Sequence, residues 1–364
     1  MKRRVGLLYG GRSVEYEVSV ASAASILKAL DGDRYDVSVI EVDQSGHWHL
    51  REAGDLETRE PGKGREMALT PVPDTPTLSP LSGDPHPAIA LDVIFPIIHG
   101  RSGEDGALQG LLELKEIAFV GSGVLGSAIQ MDKDVTKKLL AHAGLPVVPW
   151  MSFRHHELED DRLDLAVKRV GEELGYPVFI KPANSGSSIG ISKAQDALEL
   201  ITGIREAALH DDKLIVEAGL DAREVEVAIL GDEAPEASVA GEILPSHEFY
   251  DYAAKYLDDA TELVIPAALS EEQSQELRSM ALEAFAAVEA SGFARVDFLI
   301  DRQTGKVYLS ELNSLPGFTN GSMYPRLWEA SGLPYPKLLD RLIDLALERH
   351  RRRSRLERAF RKSP

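Results

Sequence analysis

The stretch Phe293-Ala-Arg-Val-Asp-Phe-Leu-Ile-Asp-Arg-Gln-Thr-Gly-Lys-Val-Tyr-Leu-Ser-Glu-Leu-Asn313 constrains the fold more than any other part of the chain. Two alternating runs flank Gln303-Thr304-Gly305, which suits a type I turn closed by a glycine bulge. That loop pairs Arg302 with Lys306, and counting outward sets Asp297 opposite Glu311. Side chains alternate across a strand, so Arg295, Asp297, Glu311 and Asn313 share one face. Val296, Phe298, Ile300, Tyr308 and Leu312 share the other. The apolar face buries, and the polar face therefore looks into a cleft. Two carboxylates about 5 Å apart repel by about 3 kcal/mol at an effective dielectric of about 20, so their pairing calls for a cation. Two carboxylates and an amide suit Mg²⁺ completed by phosphate and water. Without a cation, the same stretch is a surface hairpin with solvated charges.

The 364 residues can hold two or three domains with large cores. A formal charge of −19 repels nucleic acid and anionic membranes, so neither is an expected partner. The tail from Arg349 to Lys362 is the exception, a dense basic run that reads as a solvated or frayed helix end. Zero cysteines exclude disulfides, thiolate metal sites and a cysteine nucleophile. No apolar run reaches spanning length, and Met1 to Tyr9 lacks a signal-peptide core. A soluble cytoplasmic protein is expected.

Val5 to Tyr9 reads as a buried strand that turns at Gly10-Gly11 into a helix, the usual place for a ligand loop in an α/β layer. Glu15 and Glu17 at that helix start either favour its dipole or put one carboxylate into the cleft to bind an ammonium group. Residues 55–90, rich in proline and charge, read as a variable loop or insert. The strand Leu91 to Ile98 leads into His99-Gly-Arg-Ser-Gly-Glu-Asp-Gly, where His99 is either structural or functional. Gly121-Ser-Gly123-Val-Leu-Gly126 matches a dinucleotide fingerprint. The following Met131-Asp-Lys133 helix lacks the strand and acid that such a site needs.

Pro177 to Lys193 predicts a hairpin whose tip, Asn184-Ser-Gly-Ser187-Ser188, offers amides and hydroxyls to phosphates, or is simply a flexible turn. Lys181 sits alone in an apolar strand, and a buried amine needs an anionic partner. Lys213 to Glu217, the linker Ala218-Gly-Leu220, and Arg223 to Leu230 read as strand, hinge and strand. Pro245 to Thr261 is long for a loop and rich in tyrosine, which suits a lid. Ser270 and Gln273 form a candidate capping box for the next helix. Gly317 to Met323 precedes two closing helices, where amides can meet an anion.

Taken together, these segments resemble the D-alanine:D-alanine ligases of the ATP-grasp superfamily over nearly the whole chain. Six motifs carry the resemblance: Gly10 to Ser19, His99 to Gly110, Met131-Asp-Lys133, Lys181 to Ser188, Tyr250 to Tyr256, and Arg295-Val-Asp297 with Glu311-Leu-Asn313. The implied fold is an N-terminal Rossmann-like α/β domain (1–130) followed by a two-domain α+β ATP-grasp unit (131–220 and 221–364). Residues 245–262 would be its lid and 293–313 its metal hairpin.

The resemblance implies that Lys133, Lys181, Ser188 and Lys255 hold ATP phosphates, and Glu217, Leu220 and Glu224 hold adenine and ribose. Asp297, Glu311 and Asn313 would bind two Mg²⁺, with Mn²⁺ as a substitute. Glu15 would hold the first D-alanine's ammonium, and Glu15, Ser187 and Tyr256 would latch the lid. Arg295 and the Gly317 amide would steady an oxyanion, while His99, Ser322 and Met323 line the substrate pocket. A homodimer is also implied. Two positions depart from the family pattern: Tyr16, where histidine or arginine is usual, and Asn184-Ser185 in place of a more charged pair. Alternatives are a D-alanine:D-lactate or D-serine ligase and a non-catalytic nucleotide-binding regulator.

Overall fold

The computed structural model describes residues 2–58, 64–70, 77–81, 86–159, 161–244 and 262–357. The expected lid, with Lys255 and Tyr256, lies outside the described residues apart from Glu262.

The first layer is a sheet of β1 (Arg3–Gly10), β2 (Tyr35–Val42), β3 (Trp48–Arg51), β4 (Arg65–Leu69), β5 (Thr77–Pro80), β6 (Ile89–Ala90), β7 (Val93–Pro96) and β8 (Ala118–Phe119), ordered β6-β5-β4-β3-β2-β1-β7-β8. The β2-β1-β7-β8 portion is parallel and carries α1 (Tyr16–Ala29), α2 (Asp55–Thr58) and α3 (Ala107–Leu114) among its connections. Val5, Leu7 and Leu8 are fully buried, as a strand covered on both faces requires. The stretch expected to be a variable loop or insert, 55–90, contributes α2 and the antiparallel strands β4 to β6, which extend the first sheet and exclude a plain loop. Met67 and Leu78 anchor these short strands in the core, a signal too brief to stand out amid proline and charge.

Helix α4 (Val124–Met131) runs directly into α5 (Lys133–His142), so the G-x-G-x-x-G match opens no dinucleotide unit. Asp132 caps α5 by accepting from the Val135 amide at 3.0 Å. The second sheet, ordered β11-β10-β12-β9, is antiparallel and comprises β9 (Trp150–Arg154), β10 (Val178–Pro182), β11 (Ser192–Ala194) and β12 (Lys213–Ala218). Helices α6 (Asp161–Glu173) and α7 (Ala197–Ala207) cover it with Val167, Val170, Leu200 and Ile204.

The third sheet, also antiparallel, follows the order β15-β14-β13-β16-β17. Its strands are β13 (Ala222–Gly231), β14 (Glu236–Leu244), β15 (Glu262–Val264), β16 (Gly292–Asp301) and β17 (Val307–Asn313). The linker at 219–221 thus hands the chain from one sheet to another. Helix α8 (Glu271–Ala287) starts at the expected box, with Ser270 and Gln273 exchanging bonds of 3.1 Å in both directions. Helices α9 (Met323–Ala330) and α10 (Tyr335–Ser354) close the chain.

The β16–β17 hairpin pairs Asp297 with Glu311 and Arg295 with Asn313, but its turn closes differently from the expectation. Asp301, not Arg302, pairs with Lys306: its amide donates to the Lys306 carbonyl at 2.9 Å. A bulge at Ser310 then restores the register at the site end. Between turn and bulge the faces swap, so Leu309 opposes Phe298 and is fully buried, while Tyr308 opposes Leu299 and is only half-buried. The expected place of Tyr308 on the apolar face is therefore taken by Leu309.

Sheets one and three share a core. Phe318 packs on Phe95 and Phe293 with ring centroids 5.8 and 5.6 Å apart, and on Tyr324 at 5.5 Å. The basic tail takes part in this join rather than fraying at its start. Arg349 is buried, donates to the Phe119 carbonyl and the Ser291 hydroxyl at 2.8 Å each, and stacks over the Phe119 ring. Arg353 pairs with Glu113 at 2.6 Å, and residues 358–364 lie outside the described residues.

Candidate active site

Loops from all three sheets border a cavity of about 730 Å³. Its walls include Glu15, His99, Lys133, Ser187, Ser188, Arg295, Glu311, Asn313, Gly317, Ser322 and Met323. Eleven separately predicted residues therefore meet in one space.

The β1–α1 turn is fixed by Ser19, whose hydroxyl accepts from the Gly10 amide at 2.7 Å and donates to the Ile97 carbonyl at 2.5 Å. This delivers Glu15 into the cavity, buried, where it accepts a hydrogen bond from the Ser187 hydroxyl. Glu17 is exposed at the rim, so Glu15 is the inward acid. A β-carbon on Gly100 or Gly186 would stand 2.5 or 2.8 Å from Glu15 Oε2, so only glycine lets both backbones close on that carboxylate. Ser187 and Ser188 themselves adopt left-handed backbone angles of 47° and 58°.

His99 Nδ1 lies 3.0 Å from the Leu315 carbonyl, and Nε2 lies 3.5 Å from the Ser22 hydroxyl. Burial lowers its pKa against the opposing pull of Glu15. Ser322 accepts from the Thr319 amide at 3.0 Å, shaping the loop after Gly317. Lys133 donates to the Ser185 carbonyl at 2.6 Å and approaches Glu311 at 3.8 Å, tying the start of α5 to the serine loop.

Arg295 forks onto Asp297 with two bonds of 2.7 Å and reaches Glu226 at 3.0 Å. Burial opposes its charge, but the Asp297 and Glu226 carboxylates outweigh burial and raise its pKa well above the usual guanidinium range. Asn313 donates Nδ2–H to Asp297 Oδ2 at 2.9 Å, which leaves the amide oxygen for a cation. Opposed carboxylates with an amide oxygen form a hard donor set that fits Mg²⁺. Asp43, His47 and His49 also converge among the described residues, but none lines the cavity. To ligate through Nε2, His49 would carry its proton on a buried Nδ1 that has no hydrogen-bond partner among the described residues.

Lys181, Glu217, Leu220 and Glu224 are not part of this cavity's wall. Lys181 does meet the expected anionic partner: its Nζ lies 2.6 Å from Glu217, and it feels the charges of Glu311 and Glu224. Burial pushes the Glu217 carboxyl up, yet Lys137 and Lys181 outweigh it and hold the pKa down at about 2.

Three site residues escaped the sequence reading. Glu104 lines the cavity and accepts from the Gly100 amide at 2.5 Å; burial and Glu15 push its carboxyl above the usual range. Its signal was an acid inside a glycine-rich strand-to-helix loop. Glu226 was visible only as a polar residue in the alternation of β13. Lys137, one helical turn beyond Lys133, pairs with Glu217 at 2.8 Å. The two departures noted in the motifs have local roles. The Tyr16 hydroxyl donates to Glu41, which also pairs with Arg51, and Asn184 donates to Asp211 through both its amide groups.

Residues 4–122 match the family model described as "D-ala D-ala ligase N-terminus", and residues 139–344 match "D-ala D-ala ligase C-terminus". The chain is 48% identical to D-alanine--D-alanine ligase A of Bradyrhizobium diazoefficiens, covering 99% of each chain. It is 47% identical to the enzyme of the same name from Chromobacterium violaceum, covering 98% of this chain and 99% of that one. Among solved structures, the D-alanine-D-alanine ligase from Coxiella burnetii superposes with a TM-score of 0.85 at 36% identity, covering 97% of this chain and 96% of that one. The VanG D-Ala:D-Ser ligase from Enterococcus faecalis superposes with a TM-score of 0.85 at 32% identity, covering 95% of this chain and all of that one. With both family models matched in order and relatives aligned end to end, the chain belongs to the D-alanine–D-alanine ligase family.

Proposed function

We propose that this protein joins two D-alanines into D-alanyl-D-alanine for peptidoglycan synthesis, consuming ATP and forming ADP and phosphate. The observation that carries the reading is the meeting of Glu15, Ser187, Lys133, Arg295, Glu311 and Asn313 in one cavity. A carboxylate is a poor electrophile at neutral pH. One D-alanine carboxylate oxygen therefore takes the γ-phosphoryl group of ATP, and ADP leaves. The amine of the second D-alanine then attacks the acyl carbon, loses a proton, and expels phosphate.

Each residue has a share of this work. Glu15, buried and negative, holds the first ammonium group, and Ser187 fixes the carboxylate that does so. Lys133, Lys181 and Ser188, with Lys255 of the lid, hold phosphates; Glu217, Leu220 and Glu224 hold adenine and ribose. Arg295 and the Gly317 amide stabilise the oxyanion. His99, Ser322 and Met323 shape the pocket. Asp297, Glu311 and Asn313 would hold two Mg²⁺, which neutralise phosphate charge when bound. Tyr256 joins Glu15 and Ser187 in holding the lid shut, keeping water from the acyl phosphate.

The division into 1–130, 131–220 and 221–364 is supported by the three sheets. Exposed Leu111, Leu114, Val124 and Leu125 on the adjacent helices α3 and α4 support a homodimer through that face. The net charge and the absence of cysteine support a cytoplasmic setting without nucleic-acid partners. Among the described residues, no helix is long and apolar enough to cross a membrane.

A D-alanine:D-serine ligase is the second reading, supported by the similarity to the VanG structure. Product analysis with D-alanine, D-serine and D-lactate in competition decides between them. D-alanyl-D-alanine as the main product supports the first reading; a mixed D-serine dipeptide or D-lactate depsipeptide supports the alternatives. Absence of any ATP-dependent product overturns the enzymatic reading in favour of a nucleotide-binding regulator.

A further inference from the structure

Lys137, Glu217 and Lys181 form a buried chain of charges next to the serine loop. Lys137 Nζ lies 2.8 Å from Glu217 Oε1, and Lys181 Nζ lies 2.6 Å from Glu217 Oε2, so each carboxylate oxygen carries its own ammonium group. Exposure is graded: the Lys137 side chain is 1% exposed and Glu217 4%, whereas Lys181 is 17% exposed. The inner lysine is enclosed, with its ammonium 5.9 Å from the centre of the Trp150 ring, and the outer one is the most exposed of the three. Two cations on one anion leave a surplus positive charge in a dry place. That surplus costs free energy until another anion arrives. Lys181 also feels the carboxylates of Glu311 and Glu224, which act against that surplus, and an incoming phosphate would compete with these acids for its ammonium group.

We propose that Lys137 is a positioning residue, the resident counter-ion of Glu217, whose presence frees Lys181 to move from Glu217 to a nucleotide phosphate. This rests on the reading that Lys181 holds an ATP phosphate. Without Lys137, Lys181 is, among the described residues, the one remaining ion-pair partner of a buried carboxylate. Its departure then leaves Glu217 unpaired, and ATP must compete with Glu217 for the same ammonium group. With Lys137 present, the departure exchanges a three-member cluster for a neutral Lys137–Glu217 pair. Burial favours the neutral form of Lys137 and Lys181 adds to this, while Glu217 foremost, and Glu311 after it, oppose it.

The test is a double-mutant cycle on the full-length enzyme, reading KM for ATP, KM for D-alanine and kcat. Lys137→Met is expected to raise the ATP KM by about tenfold or more with a smaller change in the D-alanine KM. In a Glu217→Gln background the same substitution is expected to change the ATP KM by less than about twofold, because no carboxylate remains to hold Lys181. If Lys137→Met alone does not fold, Glu217→Gln is compared with the Lys137→Met/Glu217→Gln pair, whose buried groups are neutral together. A large loss between those two would mean that Lys137 acts other than through Glu217 and would overturn the proposal. So would an unchanged ATP KM in folded Lys137→Met. Lys181→Met serves as the control: if it leaves the ATP KM unchanged, the underlying phosphate assignment fails, whereas a raised value there with none in Lys137→Met defeats the hand-off alone.

Discussion

Ser187 donates its hydroxyl to the Glu15 carboxylate, joining two loops 172 residues apart in the chain and from different sheets. Replacing the hydroxyl should loosen the first D-alanine site. Ser187→Ala and Ser187→Gly are both expected to raise the D-alanine KM by about tenfold, the worth of one hydrogen bond to a charged group. The glycine variant tolerates the left-handed backbone at 187 and so separates the lost hydroxyl from strain. Steady-state kinetics with D-alanine varied will decide; a normal KM in the glycine variant removes the hydroxyl from substrate binding.

Glu311 opposes Asp297 across the hairpin and lines the cavity, with the Lys133 ammonium 3.8 Å away, which sets two carboxylates side by side where a cation would bind. Glu311→Gln is expected to lower kcat by about a hundredfold or more and to shift the Mg²⁺ requirement to higher concentration. Turnover near normal across a Mg²⁺ titration would take Glu311 out of the metal site.

The Glu217 carboxyl titrates at about 2 in the folded protein, against an ordinary value of 4.5. Because the folded value is the lower one, its stabilising contribution is complete above about pH 4.5 and is lost as pH falls toward 2. Linkage sets the size of that contribution at about 3 kcal/mol. Urea unfolding between pH 2.5 and 6 should therefore be steeply pH-dependent in the wild type and less so in Glu217→Gln. Parallel profiles for the two proteins would contradict this.

Leu309 fills the core beneath the hairpin where a simple count from the turn puts Tyr308. Leu309→Ala is expected to cost about 2–5 kcal/mol and Tyr308→Ala about 1 kcal/mol or less. Denaturant midpoints for the two variants test the bulge directly, and the reverse ranking would mean that the register is wrong.

Arg349 is held by two hydrogen bonds and an aromatic face at the join of the first and third sheets. Arg349→Ala should destabilise the protein by about 2–3 kcal/mol by orphaning the Phe119 carbonyl. Arg351→Ala, at an exposed position, should change stability by about 0.5 kcal/mol or less. Equal effects at the two positions would argue for a generic charge contribution from the tail.

The sequence by itself determined the local pieces: buried strands, the Ser270 box, and the alternation that puts Arg295, Asp297, Glu311 and Asn313 on one face. These follow from periodicity, capping and side-chain alternation, which act over a few residues. It also carried the family motifs, because each is built from short contiguous runs. Tertiary structure decided which charges meet. Nothing local could reveal that Glu217 would receive Lys137 as well as Lys181, or that Arg349 would be drawn into the join between sheets. The same holds for the Ser310 bulge, since only packing against the core selects Leu309 over Tyr308. Long-range charge and packing choices depend on which surfaces share a dry interface, and that is fixed only when the sheets come together.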